Sequence, residues 1–307
     1  MTGAPMLWLP ARAKLNLWLR IVGRRADGYH LLSTLFHAVA LHDDVGIALA
    51  PSGIALTVTA DVPADRVPAT PDNLVVRALR EFASATGYLG GFTAALHKRI
   101  PPGGGLGGGS SDAAAALRLA NELLGAPLAG STLAMLALRL GADVPFFLRG
   151  GSQVGEGVGE LLRPVEIVPR HFVLVAPPFG CPTADVYKSF AAQWKGGADP
   201  DTVRPIPARD TLDASAPMGF HNDLQPAAER VRPELAVLRQ QVEQRARRPV
   251  AMTGSGSTLF VPCSDPADAA RCVDDLAPLR SGGVRLIATH SASGVDRPRA
   301  RAGPEDG

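Results

Sequence analysis

The sequence predicts an α+β protein of two domains, on three observations. "AKLNLWLRIV" (13–22) alternates apolar and polar side chains, the pattern of a half-buried strand. A glycine-rich segment then opens an alanine-rich helix, and a second helical pattern follows it where a β-α-β fold would place a strand. Late in the chain, helical runs flank "PVAMTGSGSTLFVPC" (249–263), which reads as strand, turn and strand.

Taken in order, the first strand puts Leu15, Leu17, Leu19 and Ile21 on one face and Lys14, Asn16, Trp18 and Arg20 on the other. "ADGYH" (26–30) is a turn, because Asp-Gly readily takes positive φ. Residues 45–60 read as two strands around Pro51-Ser52-Gly53. "PDNLVVRALREFASATG" (71–87) is a helix capped by Asp72 or Asn73 and stopped by Gly87. "FTAALHKRI" (92–100) is a strand; the glycine loop, its helix and a second helix near "STLAMLALRLG" (131–141) follow. "SQVGEGVGELLRPV" (152–165) reads as a hairpin and ends the first domain, 1–165.

The second domain, 166–290, opens with "HFVLVAPPFGCPTADVYKSF" (171–190), a strand, a turn and a helix capped by Thr183. Residues 196–217 form a proline- and aspartate-rich loop. "HNDLQPAAERVRPELAVLRQQVEQRA" (221–246) and "PADAARCVDDL" (266–276) are helical. Residues 291–307 have almost no apolar side chains and read as a disordered tail.

Composition excludes several classes of function. Of 307 residues 46% are hydrophobic and 20% charged, the balance of a soluble globular chain. A net charge of +2 gives no reason to expect a nucleic-acid partner, and Arg247-Arg248 reads as a solvated helix face. Cys181, Cys263 and Cys272 have neither disulfide-framework nor zinc spacing, which fits a reduced cytoplasm. The apolar start is cut short by Pro10, Arg12 and Lys14, too soon for a signal segment. No apolar run nears the length of about 20 residues that spans a bilayer, so no membrane partner is expected.

The chemistry concentrates in "PPGGGLGGGSSDAAAALRLANELLG" (101–125). A helix start leaves unpaired N–H groups and a partial positive charge, and glycines let an anion reach them without meeting a β-carbon. Pro101, Pro102, Gly103, Gly104, Gly105, Leu106, Gly107, Gly108, Gly109, Ser110 and Ser111 are therefore the candidate phosphate-binding residues. The two serines add hydroxyls that donate hydrogen bonds or ligate a metal. Gly103, Gly105 and Gly108 satisfy G-x-G-x-x-G, but a dinucleotide fold needs a strand after the helix. No lysine follows the glycines as a P-loop requires, and the protein-kinase signatures are missing.

The loop instead resembles the P-x-G-x-G-L-G-S-S-A-A type ATP loop of the GHMP kinases, named after galactokinase, homoserine, mevalonate and phosphomevalonate kinases. "MTGSGSTLF" (252–260) resembles that family's C-terminal glycine motif. "AKLNLWLRIVGRRADGYHLLSTLF" (13–36) and "GADVPFFL" (141–148) resemble a narrower branch, which phosphorylates a cytidine-diphosphate methylerythritol on the non-mevalonate route to isoprenoids.

The resemblance implies a ribosomal-protein-S5-like first domain and a ferredoxin-like second one, with ATP and Mg2+ as cofactors. It implies that small molecule as the substrate, and a monomer or weak homodimer is expected. Lys14 and Asp143 match the catalytic pair, the aspartate as proton acceptor; read alone, Asp143 is a turn residue after Gly141-Ala142. Asn16, Tyr29, His30, Thr183 and Tyr187 match substrate-binding positions, the aromatic groups stacking on the cytosine. Asp112 stands where many relatives carry a small or amide residue, and reads as a metal ligand or a cap. The magnesium ligands are unassigned. Another GHMP kinase and a non-catalytic nucleotide-binding protein are the alternatives.

Overall fold

The structure, a computed structural model, describes residues 5–62, 67–194 and 219–301. The expected loop at 196–217 lies outside them. Strands β1 (Met6–Arg24) and β2 (His30–Ala50) form a long antiparallel ribbon closed by the Asp-Gly turn. Strand β3 (Ile54–Ala60) does not return to β2; it pairs in parallel with β4 (Gly91–Lys98), which lies between them. The hairpin β5 (Ser152–Glu156) and β6 (Leu161–Pro164) adds to β2.

Helix α1 (Leu74–Thr86) starts as expected: Asn73 accepts a hydrogen bond from the Val75 N–H, and Gly87 ends the helix in the left-handed region. With α2 (Gly108–Leu123) and α3 (Gly130–Leu140) it covers one face of the sheet. The alanines of "DAAAAL" let α2 lie close to the strands, and Ala113–Ala116 are all buried. A short helix, α4 (Val144–Arg149), occupies "VPFFLR", which carried no helical expectation.

The second sheet has the order β11-β7-β10-β9, built from β7 (His171–Ala176), β9 (Ala251–Met252), β10 (Leu259–Cys263) and β11 (Arg285–His290). Helix α5 (Thr183–Ala191) follows β7, and α8 (Pro266–Leu276) links β10 to β11. That strand-helix-strand-strand-helix-strand order, with its fourth strand beside its first, is the ferredoxin-like arrangement. The two sheets are joined by an apolar layer of Leu15, Leu17 and Leu35 against Phe172, Leu174 and Phe260. The register of β1 breaks between Arg12 and Ala13. Leu9 and Ala11 before the break pack with the helices, whereas Leu15 and Leu17 after it pack with the second sheet.

Four expectations are corrected. The run 221–246 is not one helix: β8 (His221–Asn222) pairs in parallel with β1, then α6 (Gln225–Val231) and α7 (Pro233–Ala246) are broken at Pro233, whose ring cannot continue the ladder. Thr183 is not the cap of α5; Pro182 holds that position, and the Thr183 hydroxyl pairs with Ser255 at 2.9 Å. Arg248 is not merely solvated, because its guanidinium grips Asp268 at 2.7 and 3.0 Å. That fork holds the Asp268 carboxyl well below the usual range.

The tail is corrected too. Over 291–301 it crosses the first domain, with Asp296 on Arg12 at 2.5 and 2.8 Å and β12 (Arg299–Arg301) paired to β1. Low apolar content did not reveal this, since charge pairing and strand edges hold the segment.

His37 ties these parts together from within. Its ring nitrogens meet the Ser152 and Ser291 hydroxyls, each at 2.9 Å. Burial, helped by Arg170, lowers its pKa to about 4 from 6.5. The unfolded chain therefore binds a proton below pH 6.5 that the folded chain refuses until about pH 4. Stability falls with pH across that window, by about 3 kcal/mol in all from this group. Urea midpoints measured from pH 7 to pH 4 should show a steeper decline in the wild type than in His37→Gln. Parallel declines would remove His37 from the account.

Candidate active site

The site grows out of the glycine loop. The Lys14 N–H donates to the Leu106 carbonyl at 3.0 Å, and the Leu106 side chain is buried between the two sheets. Leu106 is thus the loop's anchor. Gly105 (φ +77°) and Gly107 (φ +71°) lie in the left-handed region and bring the chain around it into α2. A β-carbon on Gly105 would sit 2.2 Å from the Thr253 carbonyl oxygen, so the loop and the "TGSGS" turn are in direct contact. The Thr258 N–H donates to the Gly104 carbonyl at 3.1 Å, a second tie between them.

Gly107 caps α2 with no side-chain hydrogen bond, while the Ser111 N–H already donates to the Gly107 carbonyl at 2.9 Å. Gly108, Gly109 and Ser110 are left with the unpaired helix-start donors, and all three line the cleft. Pro101 through Gly107 line it as well. Ser111 does not: it is buried, turned toward Arg12 and Phe147 on the far side of α2. The arrangement fits a polyphosphate, with donors facing it and no capping side chain in competition.

Lys14 and Asn16 line the same cleft, yet both are buried. The strand is therefore covered on both faces there, because the glycine loop and the second glycine turn lie over its polar side. The Lys14 Nζ donates to Asn16 Oδ1 at 2.5 Å and stands 3.6 Å from Asp143 Oδ2. Burial lowers the Lys14 pKa, and Asp143 opposes that shift. Asp143 holds the cap position of α4 but makes no capping bond. Its carboxylate is turned to Lys14 and is 37% exposed, open to a reactant.

Asn16 is held by neighbours that the strand pattern did not indicate. Its N–H donates to Thr253 Oγ1 at 3.0 Å and its Nδ2 to Thr34 Oγ1 at 2.8 Å. Asn222 then donates to the Met252 and Gly254 carbonyls, both at 2.8 Å, fixing the turn that carries Thr253.

At the cleft's other end Tyr29 is 65% exposed at the tip of the Asp-Gly turn. Beside it His30 is buried, its ring 5.4 Å from Tyr187, 5.6 Å from Phe190 and 5.9 Å from Trp194. Phe190 and Trp194 went unnoticed in the sequence, although Phe190 follows Tyr187 by three positions on α5 and Trp194 lies just past its end. Burial, then Arg24, lowers the His30 pKa, and its Nε2 has no partner among the described residues. Burial and the Asp143 charge push Tyr187 up to about 12. Thr183 lines the cleft next to Ser255. The whole cleft holds about 1150 Å³, above the usual range for one small ligand.

Asp112 is neither cap nor exposed ligand. It is buried on α2, with its Oδ2 accepting from Lys98 Nζ at 2.7 Å. Among the described residues no three His, Cys, Asp or Glu side chains cluster as a metal site. No described helix is long and apolar enough to cross a membrane.

Comparison with known proteins agrees with this geometry. Residues 73–151 match the GHMP kinases N terminal domain, and 205–278 match the GHMP kinases C terminal domain. A 4-diphosphocytidyl-2-C-methyl-D-erythritol kinase of Ralstonia nicotianae is 43% identical over 274 residues, 88% of this chain and 89% of that one. The Bordetella bronchiseptica protein of that name is 41% identical over 286 residues, 92% and 91% of the two chains. A crystal structure of 4-(cytidine 5'-diphospho)-2C-methyl-D-erythritol kinase superposes with a TM-score of 0.75 at 35% identity, covering 94% of this chain and 100% of that one. Homoserine kinase from Cytophaga hutchinsonii shares the fold, with a TM-score of 0.67 at 18% identity over 98% of both chains. A loop that meets the second glycine turn, and the relatives matched along nine-tenths of the chain, leave one assignment: this chain belongs to the GHMP kinases, within the 4-diphosphocytidyl-2-C-methyl-D-erythritol kinase family.

Proposed function

We propose that the chain transfers the γ-phosphoryl group of ATP to the 2-hydroxyl of 4-(cytidine 5'-diphospho)-2-C-methyl-D-erythritol. The products are the 2-phosphate and ADP, in isoprenoid precursor biosynthesis. The observation that carries this reading is the Lys14–Asp143 pair, 3.6 Å apart between the phosphate-binding helix start and the aromatic end of the cleft.

Each residue then has a task. The N–H groups of Gly108, Gly109 and Ser110 hold the nucleotide phosphates, and Pro101 to Gly107 shape the approach. Tyr29 and Tyr187 stack on the cytosine, while the Nε2 of the neutral His30, unpartnered among the described residues, meets its edge. Thr183 and Asn16 orient the remainder of the substrate. The hydroxyl oxygen forms its bond to the γ-phosphorus as its proton passes to Asp143, and the bond to the ADP oxygen breaks. Lys14 faces the charge that develops on the phosphoryl oxygens, where a fixed cation is most effective.

A magnesium ion would enter on the nucleotide phosphates with water filling most of its shell, since among the described residues no three His, Cys, Asp or Glu side chains cluster to hold it. Its chemistry would be to offset the negative charge of the phosphates.

A coupled ADP-release assay over cytidine-diphosphate methylerythritol, mevalonate, homoserine and galactose tests the reading. Turnover with the first alone is expected. Preference for another alcohol, or ADP release with none, would overturn it.

A further inference from the structure

Beneath the phosphate-binding helix start lies a buried charge cluster that the reaction does not use. Lys98, at the end of β4, donates from Nζ to Asp43 Oδ2 on β2 and to Asp112 Oδ2 on α2. Asp43 is fully engaged: its Oδ1 also accepts the Arg99 and Ile100 N–H groups at 2.6 and 2.8 Å. Asp112 is not, for its Oδ1 is buried without a partner among the described residues. The side chains of Lys98, Asp43 and Asp112 are 4%, 0% and 4% exposed. A β-carbon on Gly108 would stand 3.2 Å from Lys98 Nζ, so the cluster lies directly behind the first residue of α2.

One cation faces two carboxylates here. If both were ionised, a surplus negative charge would be buried behind the donors that receive phosphate. Asp43 accepts three hydrogen bonds, whereas one oxygen of Asp112 has no partner among the described residues, which favours the neutral form of Asp112. We propose that Asp112 is held as a neutral carboxylic acid beneath the glycine loop, and that its proton keeps negative charge away from the back of the nucleotide site. Lys98 and Asp112 reach the wall of the cleft at their edges, and Asp112 is thus a positioning residue for charge, acting through Lys98 and α2. The inference rests on the reading of α2 as the phosphate site.

The electrostatics agree. Burial, opposed by Lys98 and reinforced by the charge of Asp43, pushes the Asp112 pKa up to about 8. The other charged groups on elements packed against α2 are directed elsewhere. Arg12 and Arg118 bind Asp296, Arg139 pairs with Glu81, Lys14 with Asp143, and Asp44 with Arg99. Arg77, Arg80 and Arg149 are exposed.

As pH rises through about 8, Asp112 loses its proton and the cluster turns negative. One unit charge at about 10 Å in a medium of effective dielectric about 20 shifts a binding constant about tenfold. The affinity of the intact chain for the non-hydrolysable analogue AMP-PNP is to be measured by calorimetry from pH 7.5 to 9.5, with magnesium. The wild type should weaken about tenfold. Asp112→Asn, which keeps the shape of the neutral acid, should lose about twofold at most over the same range. Asp112→Glu, which restores an ionisable group, should regain the pH dependence. Equal slopes in wild type and Asp112→Asn would overturn the inference while leaving the phosphate site intact. No AMP-PNP binding at any pH would overturn both.

Discussion

Asp143→Asn is expected to lower turnover by about 10²–10⁴-fold, the usual cost of losing general-base help, with nucleotide affinity close to wild type. The substitution keeps the size of the side chain, and Asp143 caps no helix N–H that would then go unsatisfied. It removes the proton acceptor and the charge 3.6 Å from Lys14 Nζ. Lys14→Ala should cost a similar factor for a different reason, since the phosphoryl oxygens lose their buried cation. The double variant should fall far short of the product of the two losses, because each residue works only in the presence of the other.

A pH signature accompanies this. Burial has lowered the Lys14 pKa, so the deprotonation that disables it comes earlier than for an ordinary lysine. Turnover should therefore decline on the alkaline side at a pH below the usual lysine range, and Lys14→Arg should remove that limb. Single-turnover quench measurements decide the matter. Wild-type rates in Asp143→Asn would return Asp143 to the role of a plain turn residue.

Much of this site was legible in the sequence because its chemistry is written in local runs. A strand of alternating residues placed Lys14 and Asn16 together, and a glycine run before alanines marked a helix start open to an anion. What stayed hidden depends on contacts between distant segments. Nothing near Asn16 reveals that Thr253 will cap its N–H across 237 positions. Lys98, Asp43 and Asp112 lie on three separate elements, and only the folded sheet shows that Asp112 answers a lysine. Ser111 illustrates the opposite error. Its neighbour Ser110 faces the cleft, but the helical rotation between successive residues turns Ser111 into the protein. The tail was misread for the same physical reason: its order comes from Arg12 and a strand edge, not from its own side chains.

The glycine loop separates two kinds of damage. Gly105→Ala should harm the fold and the function together. Its φ of +77° costs an L-residue about 1–2 kcal/mol, and the new methyl would meet the Thr253 carbonyl oxygen at 2.2 Å. Backbone cannot yield as a side chain can, so the turn carrying Thr253 must move, and with it the hydroxyl that holds Asn16 beside Lys14. A fall of about 5 °C or more in Tm, with loss of both affinity and turnover, is expected. Gly107→Val belongs to the same class, because a β-carbon there would lie 2.7 Å from Phe147 Cζ and 3.1 Å from Lys14 Cγ. Gly109 differs. Its backbone is helical, and a β-carbon would make only an ordinary 3.4 Å contact with Leu74 Cδ1. Gly109→Val should accordingly melt within about 3 °C of wild type yet bind AMP-PNP at least about tenfold more weakly, since the added bulk competes for the space in front of the free N–H groups. Calorimetry paired with thermal melts on all three variants separates the two effects. An unchanged affinity in folded Gly109→Val would mean that the phosphates do not rest on the start of α2, and the assignment of the loop would fail with it.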